Sequence, residues 1–287
     1  MAQTIACANQ KGGVGKTTTV VNLATYLALA GERVLILDLD PQGNATSGFG
    51  IDRSSLERTL YDVVLGEAEL AATILSTAID GCRIAPASVS LAGAEVELAT
   101  ADQRERRVSR VLVSVRDDYD YILVDCPPSL GLLTVNALTA ADSVLIPTQC
   151  EYYALEGLTQ LIATLNLVRD NLNPALAIKG VVLTMFDART NLSSDVAAEV
   201  RNHLGPAVFD TVIPRSVRLS EAPSFGLPIA LYRDDSRGAI AYAALAAELR
   251  ARDGRSSAIP VAAQASSLIA APPGDGSSRA LTAGGRR

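Results

Sequence analysis

The feature that most constrains this chain is a strand, a glycine-rich loop and a helix in immediate succession. A short apolar run, Thr4–Ala8, leads into Lys11-Gly12-Gly13-Val14-Gly15-Lys16-Thr17-Thr18. The following stretch, Thr17–Ala30, repeats apolar residues at helical spacing and stops at Gly31, a favourable residue just past a helix end. Such a loop presents a row of backbone N–H groups together with the positive end of the helix dipole, and its glycines let the backbone approach an anion closely. Phosphate is the anion this spacing suits. Lys16 is expected to reach the β- and γ-phosphates of a nucleotide, and the Thr17 hydroxyl to ligate Mg²⁺. The chain has 25 basic residues but only three lysines, Lys11, Lys16 and Lys179. Two of the three lie in one eight-residue loop. Lys16 is the ammonium the loop requires; Lys11 is an addition that needs its own explanation.

Strand-like and helix-like segments alternate along the rest of the chain. Arg33–Asp40 (RVLILDLD) is nearly continuous leucine and β-branched residues, the pattern of a strand buried on both faces. Tyr121–Asp125, Ser143–Pro147, Lys179–Met185 and Asp210–Pro214 are similar, with helical patterns between them at Leu155–Leu172 and Ser193–Leu204. The alternation predicts an α/β domain with a doubly wound, mostly parallel sheet and helices on both faces. Ligands of such sheets bind at the carboxyl ends of the strands, so those ends are where chemistry is expected.

Asp125 closes the strand YILVD ahead of Cys126-Pro127-Pro128-Ser129, and suits the Walker-B role of holding magnesium from a neighbouring strand. The tandem prolines force the chain off the sheet. Asp38 and Asp40 close LILDLD, and strand alternation puts them on the same side. Beside a phosphate loop, one of the pair can polarise the attacking water while the other orients the loop or metal.

At 48% apolar and 20% charged, the 287 residues can bury a substantial core. No run of about twenty uncharged apolar residues occurs and no basic segment precedes an apolar one, which predicts a soluble, unexported, cytoplasmic protein. Cys7, Cys82, Cys126 and Cys150 lack metal-binding spacing and read as reduced core residues. The net charge of −6 argues against a generally basic nucleic-acid binder while leaving room for a local basic patch. From Gly254 onward, 22 of 34 residues are Gly, Ala, Ser or Pro, with four arginines and one aspartate. Residues 254–287 therefore read as a disordered tail of charge +3, and residues 1–253 as one folded domain of charge −9.

Six segments together resemble the ParA/Soj chromosome- and plasmid-partitioning ATPases of the deviant Walker-A group: KGGVGKTTT, DLDPQGNATSG (38–48), VDCPPSLGLLTVNAL (124–138), QCEYYALEGL (149–158), TMFDARTNL (184–192) and VIPRSVRLSEAPSFG (212–226). The match spans about residues 2–250. The first segment is shared by the whole group, while EYYALEGL and RLSEAPSFG point to the short chromosomal branch. The resemblance implies that ATP and Mg²⁺ bind and that ATP drives a homodimer in which Lys11 contacts the partner subunit's nucleotide, with Gly12 leaving room for the approach. It implies that Asp40 orients the hydrolytic water and that Pro214 and Ser216 line the adenine pocket, Ser216 standing where the family often has asparagine. Arg189 and Arg218 occupy positions implicated in nonspecific contact with double-stranded DNA. No arginine finger in cis is evident, which fits slow intrinsic turnover stimulated by a partner, a ParB-type centromere-binding protein, on the nucleoid.

The remaining features read as structural. His203, the single histidine, has no nucleophile nearby in sequence; Tyr152 and Tyr153 suit packing at a dimer interface or in the core; Arg104–Arg110 suits one basic face of a charged helix. A MinD-like membrane ATPase is the principal alternative function. It calls for a C-terminal amphipathic helix, which Pro260, Pro272 and Pro273 oppose. An iron–sulfur ATPase would need clustered thiolates.

Overall fold

A computed structural model describes residues 2–255. The expected tail therefore lies, apart from Gly254 and Arg255, outside the described residues. Eight strands form one sheet: β1 (Gln3–Cys7), β2 (Val34–Asp38), β3 (Leu75–Ser76), β4 (Cys82–Ala85), β5 (Tyr121–Asp125), β6 (Ser143–Gln149), β7 (Ala177–Phe186) and β8 (Val208–Pro214). Their spatial order is β3-β4-β2-β5-β1-β6-β7-β8, and every pairing is parallel except β3 with β4.

The expected mostly parallel, doubly wound sheet is thus present. β1 sits between β5 and β6, so the chain order runs away from it in both directions. That reversal opens a crevice at the carboxyl end of β1, which is where the glycine loop begins. In the β2–β5 register, Asp38 lies beside Asp125, and in the β1–β5 register Cys7 lies beside Asp125. The sheet itself brings the acidic strand ends to the loop.

Burial follows from the sequence pattern. All five residues of β2 and all five of β5 are buried, as continuous apolar runs require when helices cover both faces. Two apolar clusters result, one on each face. One is built around Leu35, Leu37, Ile122 and Val124, the other around Ile5, Ile36, Leu123 and Phe209. Helix Lys16–Leu29 belongs to the second and is covered in turn by helix Arg237–Arg252, where Thr19 Oγ1 and Tyr242 Oη lie 3.2 Å apart. Double coverage explains why nearly all of helix Lys16–Leu29 is buried, its polar Thr19, Asn22 and Thr25 included.

Cys7 and Cys82 belong to one apolar cluster, Cys126 and Cys150 to the other. Burial pushes the thiols up, to about 12 at Cys82 and about 11 at Cys150. They are inert packing residues divided between the two faces of the sheet. The basic run at Arg104–Arg110 differs from the expected helix face. It is broken into a 3-10 turn, Arg104–Arg106, entered from Gln103 at φ 49°, and a short helix, Arg107–Leu112, with Arg106 at φ −111° and ψ 10° at the junction. Its guanidiniums serve the fold: Arg104 donates to the Ala99 carbonyl, Arg106 to the Leu172 carbonyl and Arg110 to Gln103. Tyr152 and Tyr153 are not core residues, being 77% and 65% exposed. His203 is exposed on helix Asn191–Leu204, its Nδ1 2.9 Å from the Glu199 carbonyl. No helix among the described residues is long and apolar enough to cross a membrane.

Candidate functional site

Gly13 (φ 75°) and Gly15 (φ 89°) both adopt the left-handed conformation that an L side chain resists, so the loop's path depends on glycine there. Gly15 caps helix Lys16–Leu29 without any side-chain hydrogen bond, and the first turn carries no acidic residue. The helix start is thus left for an external anion. Gly12 is different: a Cβ there would meet only Pro128 Cβ at 3.9 Å, an ordinary contact within the subunit.

The loop's two lysines are joined. Lys16 is buried and its Nζ donates to the Lys11 carbonyl at 3.2 Å. Lys11 N–H donates to Asn9 Oδ1 at 3.0 Å, and Asn9 Nδ2 donates to the Pro147 carbonyl at 2.8 Å, tying the loop to the end of β6. Lys11 Nζ pairs with Glu151, just beyond β6. On the other side of the loop, Thr184 Oγ1 on β7 donates to the Val14 carbonyl at 2.8 Å. The backbone of the loop is therefore held at the Lys11 N–H, the Lys11 carbonyl and the Val14 carbonyl.

Three carboxylates gather at the strand ends. Asp125 is wholly buried, and neither of its oxygens has a hydrogen-bond partner. Burial first, and then the neighbouring Asp38 charge, pushes its carboxyl well above the usual range. The Thr17 hydroxyl offsets part of that rise without forming a complete hydrogen bond. Asp38 is also fully buried, and burial raises it to about 6, with a smaller push from Asp40. Its Oδ2 accepts from Thr46 N at 2.8 Å and Thr46 Oγ1 at 2.7 Å, whereas Oδ1 has no partner. Thr46 Oγ1 in turn accepts from Ala87 N–H at 3.1 Å. Asp38 is thus the anchor of the loop that follows β2. Asp40 lies in that loop, buried, with Oδ1 accepting from Gln42 N–H at 2.9 Å.

An unpartnered buried carboxylate is costly, on the order of several kcal/mol unless it is neutralised or paired. Asp125 beside Thr17 and Lys16 fits a small divalent cation that takes a hydroxyl and a carboxylate from protein and fills its other positions with water and phosphate oxygens. No group of three or more His, Cys, Asp or Glu among the described residues could hold a metal by itself, which accords with a cation held jointly with a phosphate ligand.

Pro214 and Ser216 line a cavity of about 310 Å³ that also touches Gly15 and Thr18. Its wall includes Thr184, Met185, Arg215 and Tyr242, none of them singled out by the sequence pattern. Met185 has φ 50°, at a register irregularity where β7 spends three steps, Leu183 to Phe186, against two in β8. The only signal for Arg215 was its place between Pro214 and Ser216. Thr46, within the quoted segment 38–48, and Asn9, just ahead of the glycine loop, act through backbone contacts that no periodicity reveals.

Arg189 and Arg218 stand apart from the loop. Arg189 is 85% exposed and grips Asp187 with two donors at 2.9 and 2.7 Å, holding that carboxyl well below the usual range. Arg218 pairs with Glu221 at 2.7 Å, and Glu221 also accepts from Tyr232 Oη at 3.0 Å. Both guanidiniums are paired within the subunit, on the surface, where such pairs contribute only about 0–1 kcal/mol and exchange readily for another anion.

The family model described as an AAA domain matches residues 2–178. The chain is 56% identical over 251 residues to the sporulation initiation inhibitor protein Soj of Bacillus subtilis, covering 88% of this chain and 99% of that one. It is 53% identical over 251 residues to the chromosome partitioning protein ParA of Caulobacter vibrioides, covering 87% and 94%. Among solved structures it is similar to cobyrinic acid a,c-diamide synthase from Mycobacterium smegmatis with bound ADP and magnesium. There the TM-score is 0.77 and the identity 39%, with 91% of this chain and 99% of that one covered.

Proposed function

The chain belongs to the Soj/ParA family of chromosome-partitioning ATPases, and from that premise we propose that it is an ATP-driven dimer switch on DNA. The observation that carries the reading is Asp125, a buried carboxylate with both oxygens open, beside Thr17 and Lys16 at a helix start with no cap of its own. ATP is the substrate. The loop's N–H groups from Gly12 to Thr18 cradle its phosphates, Lys16 leaves the Lys11 carbonyl for the β- and γ-phosphates, and the base enters the cavity lined by Pro214 and Ser216. Thr17 and Asp125 would hold Mg²⁺, which when bound neutralises phosphate charge and the buried carboxylate together. Asp38 keeps the following loop in place through Thr46, which leaves Asp40 to orient the attacking water. The contacts of Asp38 with Thr46 support this division between the two aspartates.

Lys11 serves the partner's nucleotide. Two phosphate-laden sites facing each other concentrate negative charge, and one ammonium donated across the interface contributes on the order of 1.5–3 kcal/mol, the scale of a charged hydrogen bond. Arg189 and Arg218 then exchange their surface carboxylates for DNA phosphates. Two such contacts per subunit neutralise about four phosphates per dimer, giving a log–log salt slope of roughly −3.6. Monomers offer half the contacts, so ATP turns binding on, and hydrolysis stimulated by a basic segment of a ParB-type partner turns it off.

Duplex DNA binding with and without ATP, for the wild-type chain and Arg218→Ala, tests this reading. ATP-dependent binding that weakens about tenfold when salt doubles, and that the substitution reduces, is expected. An affinity indifferent to ATP and salt would refute it.

A further inference from the structure

Two glycine backbones meet where the loop after the paired aspartates touches the segment that carries Arg218. Chain leaving Asp40 forms the short helix Asn44–Gly48 and reaches Gly50, at φ 73°. Chain leaving Ser216 forms helix Val217–Glu221 and the turn Ala222–Phe225, and ends at Gly226, at φ 65°. A Cβ on Gly226 would lie 2.6 Å from Gly50 Cα and 3.1 Å from Gly50 N; a Cβ on Gly50 would lie 3.1 Å from the Gly226 carbonyl oxygen. The left-handed conformation asks for glycine at each position separately. The mutual approach asks for both at once.

Each segment is tied to a different part of the site. The first hangs from Asp38 through Thr46. The second carries Arg218, steadied by Glu221 and Tyr232, with Phe225 stacked on Tyr232 at 4.9 Å. Between them is a cavity of about 370 Å³, floored by Thr17 and Thr18 and walled by Ser47 and Gly48 on one side and Leu219 and Pro223 on the other. Movement of the aspartate loop therefore meets the backbone of the other segment, with no flexible side chain between them to absorb it.

We propose that Gly50 and Gly226 form a backbone joint that makes residues 40–50 and 217–227 one moving body, so that phosphate occupancy at the aspartates sets the position of Arg218. The two glycines are positioning residues. The consequence for DNA rests on the proposed function above; the joint itself does not.

The test uses the full chain and magnesium tripolyphosphate, a probe that reaches the phosphate loop and carries no base to touch residues 217–227 directly. Hydrogen exchange is followed in residues 40–50 and 217–227, for wild type, Gly226→Ala and Gly254→Ala. Gly254 has φ 69° and nothing within 4 Å of a built Cβ, so its substitution reproduces the conformational cost without the collision. Wild type and Gly254→Ala should slow exchange in both segments, by about tenfold in 217–227. Gly226→Ala should keep protection in 40–50 and lose it in 217–227. Transmission that survives in Gly226→Ala, or wild-type protection confined to 40–50, overturns the joint. If Gly226→Ala does not fold, Gly50→Ala, whose closest approach is the milder 3.1 Å, takes its place with the same two outcomes. DNA affinity with ATP and with ADP is read on the same proteins. A wild type that transmits in exchange yet binds DNA without regard to nucleotide refutes the DNA reading and leaves the joint standing.

Discussion

The two ends of the sheet treat charge in opposite ways. At the amino ends of the strands, Lys179, Asp253, Glu32 and Asp120 each have a partner of opposite charge. Lys179 pairs with Asp253 and donates to Gln3 at 2.8 Å, and Asp253 also accepts from Tyr121 Oη at 2.9 Å. Glu32 accepts from both Arg250 and Arg255, the Arg255 guanidinium lies 5.0 Å from the Tyr121 ring, and Arg33 grips Asp120 with two donors at 3.1 and 3.2 Å. At the carboxyl ends, Asp125 has no partner and Asp38 has one open oxygen. Burial is deepest at the carboxyl end, where Asp125 and Asp38 are wholly buried, whereas the Arg33 and Arg255 side chains at the amino end are 56% and 32% exposed, so desolvation and incomplete pairing act together at the carboxyl end. The amino end spends its charges on holding the last helix and the chain's exit to the domain. The carboxyl end stores an unfavourable arrangement that a proton or a cationic ligand relieves, the kind of local cost that accompanies function.

The largest expected effect breaks the contrast at the carboxyl end. Asp125→Asn removes the buried charge, so the empty protein should gain about 1–3 kcal/mol in urea unfolding. Its ATP turnover should fall on the order of 10³-fold, equivalent to about 4 kcal/mol. A substitution that stabilises and inactivates together is the signature of a ligand site; a destabilised Asp125→Asn protein would remove the contrast.

The same operation at the amino end should do the reverse. Lys179→Met leaves Asp253, whose side chain is 4% exposed, without its cation. Breaking a buried pair from one side costs about 3–5 kcal/mol, and turnover per folded molecule should be unchanged. Loss of turnover at full folding would show that the two ends communicate.

Proton linkage at Asp38 sharpens the comparison at a smaller scale. Its folded value, about 6, lies above that of an unfolded aspartate, so the folded state favours the protonated form. That contribution is complete below about pH 4, the ordinary range of an aspartate, and is lost as pH rises through 6. The empty protein should therefore lose about 1–3 kcal/mol from this group between those limits. Because a bound cation favours the charged form, stabilisation by magnesium and nucleotide should grow over the same rise. Asp38→Asn should flatten both trends in thermal unfolding, and a ligand effect independent of pH would exclude Asp38 from the site.

Much of this was legible in the sequence because the sheet is buried on both faces. Continuous apolar runs such as YILVD placed β5 at Tyr121–Asp125, and the Gly-Lys-Thr spacing placed the loop. The edge strand β3 and its neighbour β4 have no such run; Leu75–Ser76 is two residues long and pairs with β4 alone among the described strands. Helix Arg237–Arg252 escaped because alanines lie on its exposed side (Ala244, Ala247, Ala251) as well as its buried side (Ala239, Ala246), which blurs the periodic signal. Asp125 could be named because it ends a strand, whereas Asn9, Thr46 and Met185 owe their places to long-range contacts and to a strand irregularity. The contrast in pairing between the two ends was not legible at all, since it depends on which side chains meet across separations of 74 to 223 residues.

Lys11 supplies the smallest expected effect, because it is the one charge at the carboxyl end that is paired yet loosely held. Its backbone is fixed on both sides, with the N–H on Asn9 and the carbonyl under Lys16 Nζ. Its ammonium meets only Glu151, and the two side chains are 45% and 42% exposed. A pair this open contributes about 0.2–1 kcal/mol, against the larger energy expected from a partner's phosphates, so the resting pair delays the lysine without retaining it. Glu151→Gln should release it and favour the ATP-dependent dimer by about two- to fivefold in sedimentation equilibrium, the equivalent of roughly 0.4–1 kcal/mol. The gain should shrink at high salt, where an exposed pair is already screened. Weaker dimerisation in Glu151→Gln would mean that the carboxylate works in the dimer itself, and that Lys11 belongs with the fully paired charges of the opposite end.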